Sequence, residues 1–109
     1  MKWLEGVMYS LVFYVPESHL ESVKQAVFSA GAGSMGNYDS CCWQVKGQGQ
    51  FKPVKGATPF LGKVDELEFV DEYRVEMVLS EEVKAVVLAA LLLAHPYEEV
   101  AYHFIQIQC

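Results

Sequence analysis

The stretch Met8-Tyr9-Ser10-Leu11-Val12-Phe13-Tyr14-Val15 constrains this chain most. It is rich in β-branched and aromatic residues, and both of its alternating faces are largely apolar. It therefore reads as a central strand that has to be covered on both sides. Helices from the same chain can cover one side, and the second cover must come from elsewhere. A chain of 109 residues has room for one domain. Residues 1–7 carry no clear pattern and read as an N-terminal extension, which leaves 8–109 as a single domain.

The segments that follow alternate in type. Pro16-Glu17-Ser18 opens a helix, with the proline at its boundary and Ser18 and Glu21 at capping-box spacing. Leu20, Val23, Ala26, Val27 and Ala30 then share one helical face, and Phe28 falls off it. Gly31-Ala32-Gly33-Ser34-Met35-Gly36 matches the dinucleotide fingerprint G-x-G-x-x-G. That fingerprint works when a strand enters the turn and a helix leaves it, and here the order is reversed. The glycines instead read as a helix C-cap turning into Asn37-Tyr38-Asp39.

A second strand covers Ser40 to Phe51, where Gly47 and Gly49 predict a bulge or bend. Lys52 to Lys63, with two prolines and two glycines, reads as a long exposed loop or irregular hairpin tip, and a recognition loop carrying Phe60 and the lysines is one role open to it. Its Gly56 to Gly62-Lys63 spacing is one residue too long for a phosphate-binding loop, and no helix follows. Val64 to Leu79 is the third strand region, with a bend expected near Val70-Asp71. Ser80 is placed to cap a second helix, with Glu81 and Glu82 complementing its dipole. Val83, Val86, Val87, Ala90 and Leu93 form its expected core stripe, with Leu88 and Leu92 on the far side. Pro96 stops that helix, and Val100 to Gln108 is the last strand.

The order β-α-β-β-α-β predicts an α+β, ferredoxin-like domain: a four-stranded antiparallel sheet with both helices on one face. The other sheet face is left bare, and burial by another copy of the chain is the cheapest remedy.

Charge and cysteine usage narrow the functions. With 14 acidic against 8 basic residues and no run of Lys or Arg, the electrostatic term that dominates nucleic-acid binding is missing, so DNA, RNA and anionic membranes are not expected partners. The apolar run Ala85 to Ala94 is ten residues long, against the roughly 20 needed to span a bilayer. The start of the chain has an apolar run after Lys2, but Glu5 interrupts it and no small-residue cleavage site follows. Three cysteines without C-x-x-C spacing fit neither a disulfide scaffold nor a zinc knuckle, and a reducing cytoplasm is the expected setting. Adjacent Cys41 and Cys42 would point to opposite faces, one into the core and one toward solvent.

Chemistry-bearing residues concentrate in Ala94-His95-Pro96-Tyr97-Glu98-Glu99-Val100-Ala101-Tyr102. His95 sits where a helix terminator is expected, and the same residues are the best candidate site. Imidazole with carboxylate suits zinc, copper or nickel, so His95, Glu98 and Glu99 are candidate metal ligands, too few for a tight site within one chain but completable by a symmetric oligomer. The leading expectation is a non-catalytic, oligomeric binding or regulatory module with a ligand at clefts between subunits. One alternative is a protein-interaction scaffold working through Phe28, Leu88, Leu92 and the long loop. A less favoured one is a hydrolase in which His95 acts as general base beside Cys41 or Cys42.

Four motifs in order carry a family resemblance: Phe13-Tyr14-Val15-Pro16-Glu17, then Gly31-Ala32-Gly33-x-x-Gly36-Asn37-Tyr38-Asp39, then Gly47-x-Gly49-x-Phe51-x-Pro53, and His95-Pro96-Tyr97-Glu98-Glu99-x-Ala101-Tyr102. Together they resemble the YqfO-type family, and more narrowly the insertion domain inside its long dinuclear-metal hexameric members and the short free-standing relatives. That domain is similar in fold to the trimeric PII signalling and CutA proteins. The resemblance implies a PII/CutA-like protomer, a homotrimer and a long loop between the second and third strands. It does not extend to the metal-binding catalytic part of the long members, which needs histidines and acids from flanking domains, and this chain has only His19, His95 and His103. What carries over as candidate ligand-binding residues is His95, Tyr97, Glu98 and Glu99, with the glycine turn at Gly33, Gly36, Asn37 and Tyr38.

Overall fold

A computed structural model describes residues 6–108; most of the expected N-terminal extension and Cys109 lie outside the described residues. Strand β1 runs Met8–Pro16, helix α1 Leu20–Ser29, β2 Trp43–Phe51, β3 Glu68–Ser80, α2 Lys84–Ala94 and β4 Tyr102–Ile107, with a single 3-10 turn before each helix. The sheet order is β2-β3-β1-β4, and every neighbouring pair is antiparallel. This is the ferredoxin-like βαββαβ fold, with β1 central as its two apolar faces required.

Leu11, Phe13 and Val15 of β1 and Val75, Met77 and Leu79 of β3 point into one buried cluster with Val23 and Val27 of α1 and Val87 and Leu91 of α2. Both helices therefore share one face of the sheet. On the other face, alternation and register put Ser10, Val12 and Tyr14 beside Arg74, Glu76 and Val78, with Trp43 and Val45 at one edge and His103 and Ile105 at the other. That face is mixed rather than uniformly greasy. Arg74 donates to Glu76 at 3.1 Å, whereas Trp43 is 60 % exposed and Ile105 53 %. Val12, flanked in register by Glu76 and His103, is itself buried.

Several local expectations are corrected. In α2 the buried residues are Val87 and Leu91, while Val86 is exposed, Leu93 is 90 % exposed and Leu88 is half-buried. A helix apolar all round has no amphipathic signal from which its buried side can be read. Phe28 is half-buried against the core, not displaced from it. Neither Ser18 nor Ser80 makes a side-chain cap; the 3-10 turns begin each helix instead, and Ser18 Oγ pairs with His19 Nδ1 at 2.8 Å. β2 carries no bulge at Gly47 or Gly49, since its pairing with β3 is unbroken from Trp43 to Phe51. At Val70-Asp71 β3 is continuous and its pairing with β2 is unbroken, and the residues before Glu68 belong to the loop. Cys41 is half-buried and Cys42 exposed, both ahead of β2, so neither is a core residue.

Candidate functional site

β4 pairs with β1 only from Met8 to Phe13. Beyond that, the backbone of Tyr14 needs other partners, because a buried peptide group left unpaired is costly. The segment after α2 supplies both. Tyr14 N–H donates to the carbonyl of Ala101 at 3.1 Å, and the Tyr14 carbonyl accepts from His95 Nε2 at 2.7 Å. His95 is only 6 % exposed, and its Nδ1 accepts the backbone N–H of Tyr97 at 3.1 Å. A carbonyl can only accept and a backbone N–H can only donate, so the ring is neutral with its proton on Nε2. Burial lowers the His95 pKa below its ordinary 6.5; the Tyr14 carbonyl pulls the other way, and His19 adds a further small lowering. Nε2 thus continues the hydrogen bonding of β1 past the end of β4, while Nδ1 ties the ring to the backbone of Tyr97.

Tyr97 is turned by this arrangement into a cluster of rings. Its centroid lies 4.9 Å from His95, 6.4 Å from Phe51 and 6.2 Å from Phe60, and Phe60 in turn stands edge-on to His19 at 5.5 Å. Phe60 arrives from the loop between β2 and β3. That loop is closed on itself by Asp65 N–H donating to the Pro53 carbonyl at 2.7 Å, and tied to the post-helix segment by Thr58 N–H donating to Glu98 Oε2 at 3.0 Å. Between loop and segment lies a cavity of about 370 Å³, whose lining includes Phe51, Phe60, Glu72, Tyr97, Glu98 and Glu99.

Glu72 is the residue that the sequence did not single out. A Cβ at Gly49 would overlap the Glu72 carboxylate, so the glycine in β2 is what lets this side chain lie across the strand. The Tyr97 hydroxyl is buried and has no hydrogen bond of normal geometry. Burial first, and then the neighbouring Glu72 carboxylate, push its phenol well above the usual range. The signal was present as a glycine inside a strand, but it read as a bend.

The glycine turn is formed as expected, though elsewhere. Gly31, Gly33 and Gly36 all have positive φ, and Met35 and Tyr38 exchange backbone hydrogen bonds around Gly36 and Asn37. Gly33 donates its N–H to Val78 at 2.8 Å and accepts from Cys41 at 2.9 Å. A Cβ there would sit 2.9 Å from both the Cys41 carbonyl and the Phe28 ring, so only glycine fits. Val78 and Glu72 are six residues apart on β3, about 20 Å. Gly33, Gly36, Asn37 and the exposed Tyr38 therefore do not share a site with His95, Tyr97, Glu98 and Glu99 within one protomer. Nor do Cys41 and His95 meet, since the turn holding Cys41 joins β3 at Val78, which pairs with Ser10, about 13 Å along β1 from Tyr14. Among the described residues no three His, Cys, Asp or Glu side chains are grouped to hold a metal ion. His95, Glu98 and Glu99 do not converge, and His95 would have to give up one of its two bonds to ligate.

No family profile matches the chain. It is 47 % identical over 95 residues to a GTP cyclohydrolase 1 type 2 homolog of Halalkalibacterium halodurans, covering 87 % of this chain and 26 % of that protein. It is 50 % identical over 91 residues to the corresponding protein of Mycobacterium leprae, covering 84 % and 24 %. A solved Bacillus cereus protein related to NIF3 superposes with a TM-score of 0.82 at 36 % identity, over 95 % of this chain and 26 % of that one. CutA from Archaeoglobus fulgidus, at 13 % identity and a TM-score of 0.66, matches 94 % of this chain and 85 % of its own length, which shows a common fold. GlnK of Bacillus subtilis does so too, at 13 % identity and 0.63. The chain thus spans about a quarter of the length of the curated relatives it matches, and it is homologous to the PII/CutA-like insertion region of the NIF3-related GTP cyclohydrolase 1 type 2 homologs.

Proposed function

We propose that this domain is a non-catalytic, oligomeric binding or regulatory module that takes a small ligand in the cleft between the 52–63 loop and the segment after α2. The observation that carries the reading is the cavity itself: about 370 Å³, walled by Phe51, Phe60 and Tyr97 and bordered by a few carboxylates, which is the usual make-up of a small-molecule site. The cyclohydrolase activity in the relatives' name is not carried over, because the matched region is about a quarter of those proteins.

Assembly is the second part of the proposal. The open sheet face presents Trp43, Val45 and Ile105 to solvent, and a second copy is the cheapest cover for them. The glycine turn and the aromatic cleft sit toward opposite ends of β3, so another copy is also what could bring one against the other. The expected solution state is a trimer, near three times 12.2 kDa by light scattering. A monomer would end the assembly reading, as would an unchanged mass in Trp43→Glu with Ile105→Glu.

An organic ligand is favoured over a metal because both nitrogens of His95 are already bonded. Zinc and copper titrated calorimetrically into wild type and His95→Ala separate the two. Equal heats from both proteins would exclude His95 as a ligand, whereas tight binding lost in the variant would replace the organic reading by a metal one.

A further inference from the structure

We propose that the cleft is selective for a small organic cation, an amine or quaternary ammonium on a compact apolar body. This rests on the reading of the cleft as a ligand site and adds the charge of what enters it. Three rings, Phe51, Phe60 and Tyr97, stand within 6.4 Å of one another in pairs about Tyr97 and contribute to the cavity wall. The faces of such rings are electron-rich and attract a cation lying within about 6 Å. The same wall carries Glu72, Glu98 and Glu99 against a single cationic residue, Lys52.

Glu72 is the decisive group. It lies over Gly49, in space that any other residue's Cβ would fill, so the glycine leaves room for its carboxylate on the strand surface beside Tyr97. Next to it the Tyr97 hydroxyl is buried without a well-formed hydrogen bond, and among the described residues the Glu72 carboxylate makes no ion pair. An ammonium at this point would neutralise Glu72, whose carboxylate would remain free to accept the phenol proton in a hydrogen bond. A purely apolar occupant would dry Glu72 without compensating it, and an anion would meet three carboxylates. For a bare metal ion no set of donors converges among the described residues, and Glu98 already accepts the Thr58 N–H.

The test uses choline, its uncharged carbon isostere 3,3-dimethylbutan-1-ol and the anionic 3,3-dimethylbutyrate, titrated at constant ionic strength into the labelled full chain. Amide shifts of Gly49, Thr58 and Ala101 report the cleft. Choline is expected to bind about tenfold or more tightly than the alcohol, with the carboxylate weakest. Glu72→Gln should bring the first two affinities together. Should that variant fail to fold, Phe60→Leu in the loop removes a ring at similar bulk and should weaken choline several-fold more than the alcohol. Equal affinity for choline and alcohol, or preference for the carboxylate, overturns the cation while leaving the cleft a ligand site. No cleft shift with any of the three overturns both.

Discussion

The imidazole of His95 joins two backbones, giving its proton to the Tyr14 carbonyl at 2.7 Å and receiving the Tyr97 N–H at 3.1 Å. A histidine that a sequence offers as a metal ligand or base is here a neutral strut holding the aromatic cleft against β1. Its pKa is lowered from 6.5, chiefly by burial. The unfolded chain therefore takes up a proton near pH 6.5 that the folded chain resists until lower pH. This contribution to stability is full above 6.5, declines as pH falls from there toward the lowered folded value, and then levels off. Thermal midpoints should fall between pH 7.5 and 5.5 by more in wild type than in His95→Asn, which starts less stable. Parallel curves for the two proteins would contradict a neutral buried His95.

Gly33 is expected to tolerate no side chain. Its φ of 81° already penalises an L residue, and a Cβ would meet the Cys41 carbonyl and the Phe28 ring at 2.9 Å. Gly33→Ala should cost about 2 kcal/mol or more. Gly47→Ala, where a Cβ meets nothing within 4 Å, should be close to neutral. Denaturant midpoints at unchanged slope give the comparison.

Two leucines of α2 separate core from surface. Leu91 is fully buried and Leu93 is 90 % exposed. Leu91→Ala should lose about 2–5 kcal/mol, and Leu93→Ala no more than about 0.5 kcal/mol in the isolated protomer. A reversed order would mean that the helix is rotated from the position described.

Tyr97 should ionise later than the other tyrosines in an alkaline absorbance titration, because burial and then Glu72 oppose its phenolate. Tyr97→Phe should remove this latest component, and Glu72→Gln should move it toward ordinary values without abolishing the shift that burial causes.

Much of the fold was legible from residues adjacent in sequence. Two apolar faces in Met8 to Val15 made β1 central, the spacing of Leu20, Val23 and Val27 set the buried side of α1, and the glycines at 31, 33 and 36 ended it with positive φ. These are signals of period and turn chemistry, which a few neighbouring residues determine for themselves. The rotation of α2 was not among them, because Ala85 to Ala94 is apolar on every side and only packing against the sheet selected Val87 and Leu91. The cleft was half visible: Tyr97, Glu98 and the loop with Phe60 could be named, but not that they touch, nor that Gly49 makes room for Glu72. Partners 40 residues apart, such as Thr58 and Glu98, are joined by chain closure and not by any local preference. Period and turn chemistry along the chain therefore settled the kind and order of the strands and helices, although β2, β3 and β4 begin at Trp43, Glu68 and Tyr102, later than the expected Ser40, Val64 and Val100. Which apolar side is buried, and which polar groups face each other across the cleft, was decided by the tertiary structure, because only there do distant groups compete for the same space and the same hydrogen bonds.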